Sequence, residues 1–158
     1  IIALGAGIAD GLGVGDNAKS AFITRGLTEI SALGVAMGAN PLTFSGLAGL
    51  GDLMATCSST LSRNHYVGVE LAKNRPLEDI TSSMDSVAEG VTTTRVAWDI
   101  SQKMGISMPI TEKIYRVLYE GLKPSDAASE LMNARVDHEL TGRRWRLSNL
   151  LRMRKKQR

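Results

Sequence analysis

An all-α domain is what this sequence predicts, on three observations. Aromatic residues make up only 4% of the chain while Ala, Leu, Gly and Met are plentiful, a composition that suits closely packed helices better than a β-sandwich. Apolar residues recur at three- and four-residue spacing in several windows. No convincing pair of strands and no internal repeat is present. At 158 residues the chain is long enough for one domain with a sizeable core. Seven or eight helices are expected.

Taken in order, residues 1–12 are apolar and small and read as the back half of a helix whose start lies upstream. The run GAGIAD resembles a dinucleotide fingerprint but fails it: its sixth position is Asp10, not Gly, and no strand precedes it. The small residues instead suit close helix–helix approach. Residues 11–16 form a turn ending in an N-cap at Asp16. Residues 17–37 carry Ala18, Ala21, Phe22, Leu27, Ile30, Leu33, Val35 and Met37 at helical spacing and predict a long, largely buried helix. Lys19 in its first turn opposes the helix dipole, which hints at a bound anion, although a solvated lysine is the simpler reading.

Asn40-Pro41 breaks that helix and starts a short one. Residues 53–57 make a helical turn and residues 58–62 a hydroxyl-rich loop. Ser62 is placed to cap a helix from Arg63 to about residue 74, with Glu70 and Lys73 on its exposed side. Arg75-Pro76 opens a further turn and helix, and residues 84–88 form a short, extended link. Residues 89–104 predict an amphipathic helix with Val91, Val96, Trp98 and Ile100 inward, Arg95, Asp99 and Lys103 outward, and Gly105 as its stop. Pro109 and a Thr111 cap begin the next helix, which turns Ile114, Val117 and Leu118 inward. Lys123-Pro124-Ser125 caps a last helix over residues 126–134.

The formal net charge of +3 is unevenly distributed. Residues 143–158 hold eight Lys and Arg and no acid, leaving eleven Lys and Arg against sixteen Asp and Glu in the remainder, a net −5. The basic tail suits nucleic acid or an anionic membrane surface, although a solvated, frayed end is the favoured reading. No apolar run approaches the ~18 residues needed to span a bilayer. A start at Ile1 without a basic leader is not that of a signal peptide, and reads as a cut inside a longer protein. A single cysteine, Cys57, forms no internal disulfide and suits a cytoplasmic protein.

The chemistry concentrates in residues 47–64, LAGLGDLMATCSSTLSRN. Asp52 has no charged residue within ten positions on either side. A buried, unpaired carboxylate costs several kcal/mol, so Asp52 is either exposed or paired with a cation from elsewhere, and both readings stay open. Arg63-Asn64, following Ser62, suits an anion: an arginine fork grips phosphate or carboxylate through two parallel hydrogen bonds. Two histidines far apart and one cysteine lack metal-ligand spacing. His65 reads as a partly exposed residue of the helix surface, Cys57 as a buried structural thiol, and Glu89 as a first-turn acid.

The runs GAGIADGLGVGDNAKSAFITRGLTE, GLAGLGDLMATCSSTLSRN, AEGV and MPITEKIYRVLYEG, in order over residues 1–138, resemble the C-terminal domain of bacterial NAD(P)-dependent glycerol-3-phosphate dehydrogenase. The resemblance implies a multi-helical domain similar to the C-terminal domain of 6-phosphogluconate dehydrogenase. It also implies a separate N-terminal Rossmann domain that binds NAD or NADP, interconversion of sn-glycerol 3-phosphate and dihydroxyacetone phosphate, a role in phospholipid supply, and a homodimer. By the same resemblance, residues 1–138 are the substrate-binding domain and residues 139–158 a tail outside it. A lysine directly before residue 1 is the general base; Asp52 pairs with it and binds substrate, and Thr56 lines the site. Ser62, Arg63 and Asn64 bind substrate, and Arg63, Val87 and Glu89 touch the cofactor. Neither nucleic acid nor metal is expected. The rivals are a related dehydrogenase acting on a hydroxy acid or sugar acid, and a helical module that binds through its basic tail.

Overall fold

The computed structural model describes residues 1–133, and among them helix is the only regular structure. Nine α-helices and one π-helical turn follow one another: α1 (Ile2–Leu12), α2 (Asp16–Ala36), α3 (Pro41–Ser45), the π turn (Leu47–Gly51), α4 (Asp52–Ser58), α5 (Arg63–Ala72), α6 (Leu77–Ser82), α7 (Gly90–Met104), α8 (Pro109–Tyr119) and α9 (Pro124–Asn133). The expected all-α class is the observed one. The basic tail lies outside the described residues.

Helix α1 is the axis of the domain. Every residue from Ile2 to Ala9 is buried, and α2, α4, α5, α7, α8 and α9 all pack on it. A helix covered on all sides must be apolar all round and thin where neighbours come closest. Its tightest partner is α5: a Cβ on Gly7 would run into the His65 carbonyl oxygen, and one on Gly68 into the Leu4 carbonyl oxygen. The small-residue pattern read from residues 1–12 is thus a surface for backbone-to-backbone packing.

Three caps fall where the sequence places them. The Asn40 side chain accepts from Leu42 N–H (3.0 Å) to start α3, and Ser62 Oγ accepts from His65 N–H (3.3 Å) to start α5. Gly105 ends α7 in the left-handed conformation at φ 65°. Two expected caps differ. Asp16 is the first residue of α2, with Gly15 at the cap position, and Thr111 lies inside α8, which begins at Pro109. The N-terminus of α8 is capped instead by Glu29 of α2, which accepts from Ile110 N–H (2.6 Å), Thr111 N–H (3.1 Å) and the Thr111 hydroxyl (3.2 Å).

Burial corrects two further expectations. Helix α2 is not largely buried; only Ile23, Gly26 and Glu29 are, because one stripe faces the core, while towards its C-terminus Phe44 of α3 lies on Gly34. Helix α7 turns Gly90, Thr94, Ala97 and Ser101 inward, while Val96 is exposed and Val91, Trp98 and Ile100 are half-buried. The buried hydroxyls bond within their own helix, Thr94 to Gly90 O (2.6 Å) and Ser101 to Trp98 O (2.7 Å), so small polar residues serve where neighbours approach closely. Arg95 faces outward as expected and lies 4.1 Å over the Tyr119 ring, whose hydroxyl donates to Val91 O (2.7 Å) and ties α8 to α7. Residues 84–88 form an irregular link.

Candidate functional site

The hydroxyl-rich loop after α4, the first turn of α5 and the irregular segment before α7 enclose an open cleft of about 420 Å3. Thr56, Ser62, Arg63, Asn64, Val87 and Glu89, six of the seven site candidates, line it. The seventh, Asp52, is exposed on the first turn of α4 and accepts a long hydrogen bond from the Thr56 hydroxyl (3.4 Å).

Each of these positions follows from local structure. The π turn over Leu47–Gly51 runs directly into α4 and presents Asp52 as its first residue. Gly49 permits that turn, since a Cβ there would collide with the Phe44 backbone. π turns concentrate at functional sites, and the glycine-rich approach to Asp52 was its sequence trace. Thr56 lies one helical turn on, so it faces the same way as Asp52. Ser59 Oγ accepts from Leu61 N–H (3.1 Å) and turns the chain towards Ser62, which starts α5. Arg63 and Asn64 therefore stand at a helix N-terminus, where unpaired N–H groups and the dipole favour an anion.

Among the described residues neither Asp52 nor Arg63 makes an ion pair within 4.0 Å. Of the two readings left open for Asp52, the exposed one holds for the described residues. Arg63 is exposed and lines the cleft. Asn64 spans the cleft floor: its Oδ1 accepts from Gly90 N–H (2.9 Å), the first amide of α7. Glu89, expected in the first turn of α7, is its N-cap residue. Val87 is exposed at the lip.

Behind the site lies a charged network that the sequence reading missed. His65 is buried, not a partly exposed surface residue, and its Nε2 lies 2.7 Å from Asp10 Oδ2. The same oxygen takes Lys19 Nζ at 2.5 Å, so Lys19 is an ion-pair partner with little exposure, not a solvated lysine. Burial would raise the Asp10 carboxyl, but hydrogen bonds from Lys19 and His65 outweigh it and hold the group below its ordinary range. The network pins the first turn of α5, and with it Arg63 and Asn64, against α1.

Cys57 is fully buried, as expected, and burial pushes its thiol up to about 11. Helix α1 packs against α4, which carries that thiol. Ile1 is partly buried against the core, with its nitrogen beside Gly90. Among the described residues no group of three or more His, Cys, Asp or Glu is placed to hold a metal ion.

Comparison with known proteins identifies the family. A family model described as NAD-dependent glycerol-3-phosphate dehydrogenase C-terminus matches residues 1–129. The glycerol-3-phosphate dehydrogenase (NAD(P)+) of a Dehalococcoides mccartyi strain is 66% identical over 155 residues, which cover 98% of this chain and 43% of that protein. The enzyme of the same name from Desulfitobacterium hafniense is 56% identical over 140 residues, 89% of this chain and 40% of that protein. A crystal structure of glycerol-3-phosphate dehydrogenase from Coxiella burnetii superposes with a TM-score of 0.81 at 39% identity, over 84% of this chain and 41% of that one. The chain thus spans less than half the length of the curated relatives it matches. With the family model covering most of its residues, the chain belongs to the family of NAD-dependent glycerol-3-phosphate dehydrogenase C-terminal domains.

Proposed function

We propose that this domain is the substrate-binding half of an enzyme that interconverts sn-glycerol 3-phosphate and dihydroxyacetone phosphate with NAD or NADP. The observation that supports this reading is the convergence of Thr56, Ser62, Arg63, Asn64, Val87 and Glu89 on one cleft, with Asp52 bonded to Thr56 beside it. Arg63 holds the substrate phosphate through paired N–H donors, assisted by the N-terminal dipole of α5 and the Ser62 hydroxyl. Asn64 donates from its amide NH2. Asp52 pairs with a lysine supplied by the segment that precedes Ile1 in the longer protein. The packing of α1 against α4, which begins at Asp52, supports this pairing. Such a pair orients the lysine and tunes it for proton transfer at the substrate's C2 oxygen.

The described residues fit only the edge of a dinucleotide. They include no strand, hence no strand–turn–helix phosphate loop. At the cleft, Arg63 offers a cation to phosphates, Val87 an exposed apolar surface and Glu89 a hydrogen-bond acceptor. When bound, the nicotinamide supplies the hydride acceptor or donor; the residues of this domain position the substrate and balance its charge. A Rossmann domain elsewhere in the longer protein holds the rest of the cofactor. A cytoplasmic setting and a homodimer belong to the same proposal; no helix among the described residues is long and apolar enough to cross a membrane.

The test is Arg63→Ala in the intact enzyme. Loss of a charge-assisted bond costs about 1.5–3 kcal/mol, a rise of roughly ten- to 150-fold in the KM for dihydroxyacetone phosphate. Thermal stability should hold, because Arg63 is exposed and makes no ion pair among the described residues. Unchanged KM and kcat would overturn the phosphate role. The 158-residue chain alone should show no dihydroxyacetone-phosphate-dependent oxidation of NADH or NADPH, and clear turnover would overturn the division of labour.

A further inference from the structure

Asn64 has a carbonyl end and an NH2 end, and which end faces the cleft decides what it recognises. An amide side chain takes its orientation from its hydrogen-bond partners. Here the partner is a backbone N–H, which only donates: Gly90 N lies 2.9 Å from Asn64 Oδ1. The carbonyl oxygen is therefore held to α7. The NH2 group is turned away from α7 and has no hydrogen-bond partner among the described residues, in a side chain that lines the cleft.

That orientation depends on the residue at position 90 being glycine. Its N–H is the first of α7, a helix with no side-chain cap of its own, so its donor is unpaired unless a neighbour accepts it. A Cβ at Gly90 would lie 2.7 Å from Asn64 Oδ1, 2.9 Å from its Cγ and 3.3 Å from the Ile1 nitrogen. The Asn64 side chain would have to move aside, and the capping bond would not survive unaltered. The bond also ties the segment carrying Val87 and Glu89 to the turn carrying Arg63.

We propose that Gly90 is a positioning residue of the substrate site. By keeping the start of α7 free of a side chain, it holds the Asn64 carbonyl and so aims the Asn64 NH2 into the cleft, where it selects an acceptor such as a phosphate or hydroxyl oxygen. This rests on the reading of the cleft as the site for a phosphorylated substrate.

The experiment measures KM and kcat for dihydroxyacetone phosphate, with thermal melting, in the intact enzyme carrying Gly90→Ala, Asn64→Ala, both together, Asn64→Asp, or Arg63→Ala. Asn64→Asp keeps an oxygen for Gly90 N–H, and its charge is favourable at a helix N-terminus, but it removes the NH2. The expected result is a roughly ten-fold or greater rise in KM for each of the Gly90 and Asn64 variants, with Asn64→Asp melting no lower than wild type. The double variant should be no worse than the more affected single, as expected of residues acting through one contact. A wild-type KM for Gly90→Ala, or single effects that multiply in the double variant, overturns the proposal. Should Gly90→Ala not fold, Asn64→Asp decides: a wild-type KM shows that the NH2 is not the recognising group and overturns it. A wild-type KM for Arg63→Ala overturns the reading of the site itself, which the Gly90 and Asn64 variants do not test.

Discussion

Replacing Glu29 tests how α2 and α8 are held together. Its carboxylate serves two backbone amides and one hydroxyl at the start of α8, and the two residues that carry them, Ile110 and Thr111, are 1% and 0% exposed. Water cannot readily take its place. Glu29→Ala leaves two buried N–H groups without an acceptor, at about 1–3 kcal/mol each, while the Thr111 hydroxyl can rotate elsewhere. Removing a buried carboxylate relieves its desolvation, so the net loss should be about 2–4 kcal/mol. Glu29→Gln retains one acceptor oxygen but brings an NH2 against a donor, and should lose about 1–2 kcal/mol. The pH dependence adds a second check. Burial is the larger influence on Glu29 and raises its carboxyl, with the Ile110 and Thr111 bonds and nearby Arg25 opposing in part. A raised folded-state pKa means a contribution complete below the unfolded value, about 4.3, and declining as pH rises through the folded one. Because Gln is neutral throughout, its penalty should be larger near the unfolded value than at neutral pH. Urea unfolding followed by far-ultraviolet circular dichroism measures both. Losses under about 0.5 kcal/mol for Glu29→Ala, or a Gln penalty that grows with pH, would refute the reasoning.

Gly68→Ala should destabilise the domain by about 1–3 kcal/mol through overpacking against the Leu4 carbonyl, despite the better helix propensity of alanine; a higher melting temperature would contradict the close approach of α1 and α5. Asp10 has a depressed carboxyl pKa, so its contribution is present above the unfolded value and lost as pH falls through the folded one. Urea midpoints of wild type and Asp10→Asn should therefore converge on acidification, and a gap that widens would argue against the Lys19 and His65 bonds. Cys57, buried and pushed up to about 11, should react with thiol reagents far more slowly in the folded than in the urea-unfolded protein, and equal rates would disprove its burial.

Much of the local structure was legible in the sequence. The caps at Asn40, Ser62 and Gly105 depend on residues within three positions of the helix end, where side-chain chemistry alone decides the geometry. The grouping of Arg63 and Asn64 behind Ser62 was equally local. The wider set of site candidates, including Val87 and Glu89, came from resemblance to a family and not from any pattern in the residues. The inward face of α7 was misread because the apolar periodicity of Val91, Val96, Trp98 and Ile100 was the stronger signal. Close packing selected the smaller Gly90, Thr94, Ala97 and Ser101 instead.

What the sequence by itself determined is the helical class, most helix starts and stops, and the clustering of an acid, hydroxyls and an arginine fork within eighteen residues. Only the tertiary structure decided which polar groups meet. Glu29 reaches α8 from 81 positions away, His65 reaches Asp10 across 55, and Asn64 reaches Gly90 across 26. The physical reason is that burying a polar group is tolerated only where a partner has been brought to it. That partner is supplied by the packing of α2, α5, α7 and α8 around α1, and no spacing along the chain records it.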